Sequence, residues 1–234
     1  MAVGVEISRE DIEAIRLLID HTNLKPSSTV GDLEKTCRET LKYGFYGCCI
    51  PPWFVPKARN ILGGRARVVT VVGFPLGYDP LPSKLAAVDN VLGEGADEVD
   101  VVMNVSAFKS GERRYVAEEL KMLAERVHAG GGIVKVIIET GLLTDEEIVE
   151  ASSLAARAGV DFVKTSTGFG PRGAWPEDVL LIRRGAPGVR VKAAGGIRTG
   201  IQAYTFYRLG VERIGTSSGP RIIDQLEWIA GSRR

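Results

Sequence analysis

Short apolar runs alternate along the chain with longer stretches in which apolar residues recur every three or four positions. Such runs are typical of strands buried on both faces of a sheet, and the periodic stretches are typical of amphipathic helices. The pattern predicts eight strands, which are Leu18–Thr22, Gly47–Ile50, Val68–Phe74, Glu98–Met103, Val134–Glu139, Phe162–Thr165, Val189–Ala193 and Arg213–Thr216.

Helical patterns lie before and between these strands. Ser8 is suited to cap a first helix that extends to Ile19, and Asp11 stands at the capping-box position. Thr144 and Glu147 form a second such pair, and Pro176 suits the start of a later helix. Periodic apolar residues predict further helices over Leu33–Tyr43, Lys84–Gly93, Glu118–Val127 and Asp145–Ala158.

Strands that alternate with helices predict an α/β protein with a parallel sheet, and eight strands are the number that closes a (β/α)8 TIM barrel. We therefore predict a single catalytic domain over residues 1–234, a TIM barrel with an extra N-terminal helix. The alternative is an open doubly wound sheet. That fold usually has a glycine-rich turn after its first strand, where this chain has Asp20-His21-Thr22-Asn23.

Composition and charge exclude several classes of protein. With 30 Lys and Arg against 29 Asp and Glu, the chain has no overall field to attract nucleic acid or an anionic membrane. No apolar stretch is long enough to span a membrane, and Met1 to Ser8 lack a signal-peptide pattern. Three cysteines give no disulfide framework, so we expect a cytoplasmic protein. Two histidines speak against a His-rich metal site, and we expect neither a metal nor a cofactor.

Charged residues interrupt the predicted strands at Asp20, Asp100, Lys135, Lys164 and Lys192. All except Lys135 stand near the C-terminal end of their strand, which is where TIM-barrel active sites lie. Because unpaired charge is unfavourable in a barrel interior, these residues indicate either an active site or structural ion pairs. His21 follows Asp20 and fits a hydrogen-bonded structural role at least as well as a catalytic one.

Lys164 and Lys192 stand on consecutive predicted strands, and each follows a valine. Neighbouring strands lie about 5 Å apart, so two inward ammonium groups would share a pocket and each would disfavour the charge of the other. One lysine would then have a lowered pKa and become the neutral amine that Schiff-base formation needs. Alternatively, both lysines bind phosphate as ordinary cations. Asp100 beside them would shuttle protons or only neutralise charge.

Glycine-rich turns follow the last three predicted strands. Gly168 follows the sixth strand, Gly195 and Gly196 follow the seventh, and residues 215–219 follow the eighth. Exposed backbone N–H groups at such turns can bind an anion, and the last loops of TIM barrels frequently bind phosphate. The sequence therefore predicts a phosphorylated small-molecule ligand.

Several segments resemble the signature sequences of the deoxyribose-phosphate aldolase family. They are DHTNLK at residues 20–25, EVDVVMN at 98–104, KVIIET at 135–140, FVKTSTG at 162–168 and VKAAGGIRT at 191–199. The resemblance runs in order from about Asp20 to Ser218. It implies a class I aldolase, a carbon–carbon lyase with a TIM-barrel fold. Such an enzyme reversibly cleaves 2-deoxy-D-ribose 5-phosphate to D-glyceraldehyde 3-phosphate and acetaldehyde. The resemblance also implies a homo-oligomer, either a dimer or a tetramer.

The resemblance further implies that Lys164 forms the Schiff base, that Lys192 perturbs Lys164, and that Asp100 with bound water relays protons. Roles in the substrate pocket and its polar network are implied for Asp20, Thr22, Cys49 and Lys135. Further substrate contacts, chiefly with the phosphate, are implied for Thr167, Gly168, Gly195, Gly196, Ser217 and Ser218.

Two features depart from the family pattern. Phe169 stands where some members have a lysine, so a phosphate cation is either missing or supplied by Arg198 or Arg172. Some members also end in a tail with a functional tyrosine, whereas the last tyrosine here is Tyr207.

Two other functions remain open. A phosphosugar isomerase with a carboxylate base would need no neutral lysine. A non-catalytic sugar-phosphate sensor would have no reason to retain two lysines beside Asp100.

Overall fold

The computed structural model describes residues 7–231, in which eight parallel strands close into a barrel in the order β1 to β8. The closure is made by β8, which pairs with β1. The predicted TIM barrel is thereby confirmed, and the open doubly wound sheet is excluded. The strands are β1 (Ile19–Thr22), β2 (Gly47–Cys49), β3 (Arg67–Val72), β4 (Glu98–Val102), β5 (Ile133–Ile137), β6 (Phe162–Lys164), β7 (Arg190–Ala194) and β8 (Arg213–Thr216).

Helices surround the barrel and follow its strands. They are α1 (Arg9–Arg16), α2 (Val30–Tyr43), α3 (Val55–Leu62), α4 (Leu81–Gly93), α5 (Val105–Lys109), α6 (Arg113–Ala129), α7 (Asp145–Arg157), α8 (Pro176–Gly185), α9 (Gly200–Arg208) and α10 (Gly219–Gly231). The extra N-terminal helix is α1, which precedes the first strand. It ends at Arg16 rather than at Ile19, because Ile19 already belongs to β1.

Both capping boxes predicted from the sequence are present. The Ser8 hydroxyl accepts the N–H of Asp11, and the Asp11 carboxylate accepts the N–H of Ser8 at 2.9 Å. Thr144 and Glu147 are paired in the same way at the start of α7. Each box satisfies two N–H groups that a helix start leaves without an intrahelical acceptor, so it fixes where the helix begins.

Two predicted strands extend two residues too far. The third was expected to reach Phe74 and the fifth Glu139, but β3 ends at Val72 and β5 at Ile137. Glu139 has a φ of 56°, in the left-handed region, and a short 3-10 turn over Thr140–Leu142 follows it. The chain therefore turns out of the sheet at Glu139 instead of continuing through it.

The apolar core lies between the outer face of the barrel and the helices. Side chains such as Ile19, Val68 and Val99 point outward from the strands into this layer and are buried. Inside the barrel, a smaller apolar cluster of Cys49, Val69 and Val71 lies on one side. The interior also holds Phe162 and several charged side chains, which concentrate the chemistry of the molecule inside the barrel.

No helix within residues 7–231 is long and apolar enough to cross a membrane. The absence of a signal-peptide pattern rests mainly on residues 1–6, which lie outside the described residues. The comparison of the C-terminal end with a tyrosine-bearing tail likewise involves residues 232–234, which are also outside them.

Candidate active site

Ion pairs connect the interior side chains of β4, β5 and β7. The ammonium group of Lys192 donates to Asp100 Oδ2 at 2.8 Å, and that of Lys135 contacts Asp100 Oδ1 at 2.9 Å. Lys135 also contacts Glu98 Oε2 at 2.6 Å. Asp100 and Lys135 are register partners on adjacent strands, which explains how this part of the network is positioned.

The network closes through β8 and β1. Arg213 Nη1 lies 2.9 Å from Glu98 Oε2 and 2.9 Å from Asp20 Oδ1, and Asp20 Oδ2 accepts a hydrogen bond from Lys192. Carboxylates and cations therefore alternate around a closed circuit, which we call the charged ring. Its members are Asp20, Arg213, Glu98, Lys135, Asp100 and Lys192.

Lys164 stands outside the charged ring and is attached to it at one point. Its Nζ donates to Asp100 Oδ2 at 2.8 Å, on the oxygen that also accepts from Lys192. Among the described residues, Lys164 contacts a single carboxylate, whereas each cation of the ring contacts two. The three carboxylates of the ring balance its three cations, and Lys164 shares Asp100 Oδ2 with Lys192.

The pKa shifts of three members of the ring, Asp20, Asp100 and Lys192, favour their charged forms. Burial raises the pKa of Asp20, but Lys192 and Arg213 lower it by more, to about 2. Burial likewise opposes ionisation of Asp100, yet Lys135, Lys164 and Lys192 hold its pKa well below the usual range. Burial lowers the pKa of Lys192, while Asp100 and Asp20 raise it by more, so it lies above the usual value. Lys192 is therefore the permanent cation of the lysine pair.

Two glycines give the ring its space. Gly47 on β2 and Gly215 on β8 are the register neighbours of Asp20. A Cβ atom at Gly47 would lie 2.9 Å from Asp20 Oδ1, and one at Gly215 would lie 3.2 Å from Cε of Lys192. Distances this short displace one of the two groups, so Asp20 and Lys192 can meet because both neighbouring strands lack a side chain there.

Sequence reasoning missed two members of the ring. Glu98 and Arg213 were each only the first residue of a predicted strand. Both are charged residues within a buried strand, which is the signal that identified the other charges. Tyr46 was missed as well. Its hydroxyl donates to Glu98 Oε1 at 2.8 Å, and the Arg213 guanidinium lies 3.5 Å from the centre of its ring.

A pocket opens above Lys164 at the C-terminal ends of β1, β6, β7 and β8. Lys164 lines this pocket, whereas the six residues of the charged ring do not. The residues of the sequence prediction that also line it are Thr22, Thr167, Gly168, Gly195, Gly196 and Ser217. The structure thus brings the predicted nucleophile and most of the predicted phosphate contacts to one cavity.

Other predicted residues do not line the pocket. Asp20, Cys49 and Lys135 are fully buried beneath its floor. Burial raises the pKa of the Cys49 thiol to about 11, so that thiol stays neutral. Ser218 lies outside the lining, and its N–H donates to Thr216 Oγ1 at 2.9 Å. Asp20, Cys49 and Lys135 therefore lie too deep to line the pocket, and Ser218 lies beside it.

The glycine turns form an anion-binding wall of the pocket. Gly195 and Gly196 have φ values of 91° and 75°, and Gly168 on the adjoining turn has a φ of 87°. Consecutive left-handed residues direct successive N–H groups to one side, which suits an anion. The N-terminus of α10 begins directly after Ser217 and Ser218 and adds a favourable dipole for a negative charge.

The two arginines considered as phosphate cations differ. Arg172 donates to both oxygens of Asp178, at 2.7 and 2.9 Å, and to the carbonyl of Thr140. That side chain is committed to holding the loop after β6. Arg198 is exposed and lines the pocket, as does Lys25, which sequence reasoning had not singled out. Arg198 and Lys25 are therefore the cations that the pocket offers to a phosphate.

His21 points away from the pocket into the layer between β1 and α2. Its Nε2 lies 2.8 Å from Glu39 Oε2, and its ring packs against Phe45 with centroids 5.4 Å apart. Burial lowers the pKa of His21 despite the contact with Glu39. Its position agrees with the structural role that the sequence left open.

Comparisons with known proteins relate the chain to aldolases. Residues 14–209 match the model of a family described as DeoC/LacD family aldolase. A deoxyribose-phosphate aldolase of Thermococcus gammatolerans is 48% identical over 226 residues, which cover 95% of this chain and 97% of that protein. One of Thermococcus kodakarensis is 47% identical over 210 residues, covering 88% and 94%. The deoxyribose phosphate aldolase structure from Aeropyrum pernix, described as a unique tetramer, has a TM-score of 0.86 at 35% identity and covers 94% of this chain and 92% of that one.

Proposed function

The chain belongs to the DeoC/LacD family of aldolases, and on that premise we propose that it reversibly cleaves 2-deoxy-D-ribose 5-phosphate through a Schiff base on Lys164. The products are D-glyceraldehyde 3-phosphate and acetaldehyde. The protein is an aldolase and therefore a carbon–carbon lyase. The names of relatives that cover nearly the whole chain support the substrate.

The observation that carries the mechanism is the position of Lys164 relative to the charged ring. It is the one basic group among the charged ring and Lys164 that reaches the pocket, and the carboxylate that it contacts is shared with Lys135 and Lys192. The nearby cation Lys192 favours the neutral amine of Lys164, as a like charge does. A neutral amine at the floor of a pocket is the nucleophile that a class I aldolase needs.

The reaction then proceeds in balanced steps. The neutral Nζ of Lys164 adds to the C1 aldehyde carbon of the open-chain sugar, and loss of water with uptake of one proton gives the iminium ion; that proton is returned when the iminium ion is hydrolysed at the end of the cycle. A proton leaves the C3 hydroxyl, the C2–C3 bond breaks, and its electron pair remains on the lysine-bound fragment as an enamine. D-Glyceraldehyde 3-phosphate departs, C2 takes up a proton, and water hydrolyses the iminium ion to release acetaldehyde and Lys164. Asp100 with bound water moves both protons, because its carboxylate adjoins the Nζ of Lys164.

The phosphate is held by the glycine wall. Backbone N–H groups of Gly168, Gly195 and Gly196, the hydroxyl of Ser217 and the start of α10 supply most of its contacts. Arg198 or Lys25 supplies the cation that Phe169 does not. Ser218 contributes through its hydroxyl.

We also propose that the protein acts in the cytoplasm as a homo-oligomer, a dimer or a tetramer, without a nucleic-acid or membrane partner. The near-neutral charge supports the absence of such partners. The tetramer described for the Aeropyrum pernix structure supports self-association.

The direct test of the proposal is reductive trapping. Incubation with acetaldehyde and borohydride should inactivate the enzyme and add an ethyl group to Lys164, located by peptide mass. Lys164→Met should take up no label at this peptide, and Lys25→Met, which alters an exposed lysine of the same pocket, should be labelled as the wild type is. Label on Lys192 with Lys164 unmodified would reverse the two roles.

Two further outcomes separate the rival functions. Turnover of deoxyribose 5-phosphate without any trapped lysine would indicate a mechanism that needs no neutral amine. Absence of turnover, with binding of the sugar phosphate retained, would indicate a sensor.

A further inference from the structure

Glu139 has an unusual backbone at the C-terminal mouth of the barrel. Its φ of 56° makes it the one non-glycine residue between positions 7 and 231 in the left-handed region. That conformation is unfavourable for a residue with a side chain, and it persists where the surrounding structure fixes it, often at functional sites. Glu139 has no part in the mechanism given above.

The neighbours of Glu139 hold this conformation in place. The N–H of Ile138 donates to the carbonyl of Lys164 at 3.1 Å, and the N–H of Thr140 donates to the carbonyl of Thr165 at 2.9 Å. The backbone is thus tied to β6 and its extension on both sides of Glu139. The left-handed turn between these two hydrogen bonds directs the Glu139 carboxyl towards Thr167. Glu139 is buried there, with 3% of the residue exposed.

The Glu139 carboxyl organises the turn after β6. Its Oε2 accepts the N–H of Thr167 at 3.2 Å and also the hydroxyl of Thr167. The oxygen of that hydroxyl in turn accepts the N–H of Phe169 at 3.1 Å. Of the three consecutive N–H groups of Thr167, Gly168 and Phe169, the first and the third therefore already have acceptors.

The middle N–H group, that of Gly168, remains for a ligand. It has no acceptor in the described part of the chain, and Gly168 lines the pocket beside Gly195 and Gly196. The direction of this N–H depends on the two hydrogen bonds that flank it. Both of those depend on Glu139, the first directly and the second through Thr167.

Stability alone gives Glu139 little reason to be here. Its Oε1 is buried without a hydrogen-bond partner among the residues that the structure describes. Gly170 passes so close that a Cβ atom there would lie 2.8 Å from the carboxyl group. A buried, half-satisfied carboxyl on a strained backbone is unfavourable for folding, which points to a role in the function of the turn.

We propose that Glu139 is a positioning residue for substrate phosphate, holding the turn of Thr167, Gly168 and Phe169 so that the Gly168 N–H faces the anion. The inference rests on the proposed function of the pocket. It differs from the roles of the glycine wall and of the two cations, because Glu139 touches no ligand and carries the same sign of charge as the phosphate.

The test compares a phosphorylated with an unphosphorylated substrate. Glu139→Gly accepts the left-handed backbone and removes the carboxyl group. It should raise KM for deoxyribose 5-phosphate about tenfold, the effect of losing one hydrogen bond to a charged group. Its kcat should change little, and kcat/KM for deoxyribose, which has no phosphate, should change less than about twofold. Glu139→Gln keeps an acceptor oxygen at the same place and should restore most of the preference for the phosphorylated substrate.

A matched pair of variants at Thr167 tests the same hydrogen bonds. Thr167→Val removes the hydroxyl that links Glu139 to the Phe169 N–H, and Thr167→Ser keeps it. The valine variant should show the same selective rise in KM, and the serine variant should recover most of the wild-type preference for the phosphorylated substrate, because it keeps the hydroxyl that accepts the Phe169 N–H. Combined with Glu139→Gly, Thr167→Val should add little further loss, because both changes break one chain of contacts. This pair decides the question even where Glu139→Gly does not fold.

Two results would overturn the inference. One is an equal loss of kcat/KM on both substrates in Glu139→Gly and in Thr167→Val. The other is full additivity of the two changes. Failure of the proposed function would look different, because the wild-type protein would then turn over neither substrate or would carry no borohydride label on Lys164.

Discussion

Lys164 and Lys192 are the same residue type at matched positions on adjacent strands, and their surroundings give them opposite tasks. Lys192 lies between two carboxylates and stays charged, whereas Lys164 shares one oxygen of Asp100 and opens to the pocket. The lysine spacing predicted a perturbed pair, and the family resemblance implied that Lys164 is its nucleophile. The contacts that keep Lys192 charged include Asp20, which is far from Lys192 along the chain but hydrogen-bonded to it in the fold.

A substitution at Lys192 tests this division. In Lys192→Met the ring loses one cation, so the proton of Lys164 gains a matching carboxylate and the neutral amine becomes rarer at neutral pH. We expect kcat to fall by at least about a hundredfold, a typical contribution of an activated catalytic group, and the acidic limb of the kcat/KM profile to move to higher pH. The measurement is the pH–rate profile on deoxyribose 5-phosphate.

The control for Lys192→Met is Lys25→Met, which removes a lysine of the same pocket far from the ring. Its acidic limb should stay where it is in the wild type. If the profile of Lys192→Met were also unmoved, burial alone would govern the reactivity of Lys164.

At the scale of elements, the sequence predicted all eight strands and the capping boxes of α1 and α7, because apolar runs and cap residues are local signals. It did not predict the capping boxes of α2 and α9, nor the helices α3, α5 and α10. Pro56 lies in the first turn of α3, α5 has five residues, and α10 begins with glycine, so short length and helix-breaking residues hide their periodicity. The charged ring could be predicted only in part, since its closure joins residues that the fold alone brings together.

Gly47 on β2 leaves the space that the Asp20 side chain on β1 occupies. Gly47→Ala places a Cβ atom 2.9 Å from Asp20 Oδ1 and 3.0 Å from Cγ2 of Val69. We expect it to destabilise the protein by about 1–3 kcal/mol, as overpacking of a core does, and to lower kcat by displacing Asp20 from Lys192. Thermal unfolding and turnover measure the two effects.

Gly93→Ala is the matched control for Gly47→Ala. Gly93 is exposed at the end of α4, and a Cβ atom there meets nothing within 4 Å. This variant should keep the wild-type turnover. If Gly47→Ala and Gly93→Ala had the same stability and the same turnover, β2 would be able to shift without loss of stability and the charged ring would tolerate the displacement of Asp20.

At the scale of the whole molecule, the ring couples stability to pH. The pKa of Asp20 is about 2 in the folded protein against an ordinary value of 3.8, and that of Asp100 is also lowered. A carboxyl with a depressed folded-state pKa stabilises the fold above its ordinary pKa, and the stabilisation is lost as pH falls through the folded-state pKa. The free energy of unfolding should therefore drop between about pH 4 and pH 2, by about 2 kcal/mol from Asp20.

Asp20→Asn isolates this contribution. The variant should be less stable than the wild type at neutral pH, because Lys192 and Arg213 lose a carboxylate partner. Denaturant unfolding across the pH range should show the difference narrowing towards pH 2, where the wild-type carboxyl gains its proton. If the difference in the free energy of unfolding stayed constant over that range, the lowered pKa of Asp20 would be contradicted.

The charges of the interior are also divided along the chain. The acids Asp20, Glu98 and Asp100 all stand on β1 and β4, while Lys135, Lys164, Lys192 and Arg213 stand on β5 to β8. The first half-barrel thus carries only negative charge towards the axis, and the second only positive charge. Each of the ion pairs among these residues therefore joins a strand of the first half to a strand of the second, so the same contacts that surround Lys164 also hold the two halves of the barrel together.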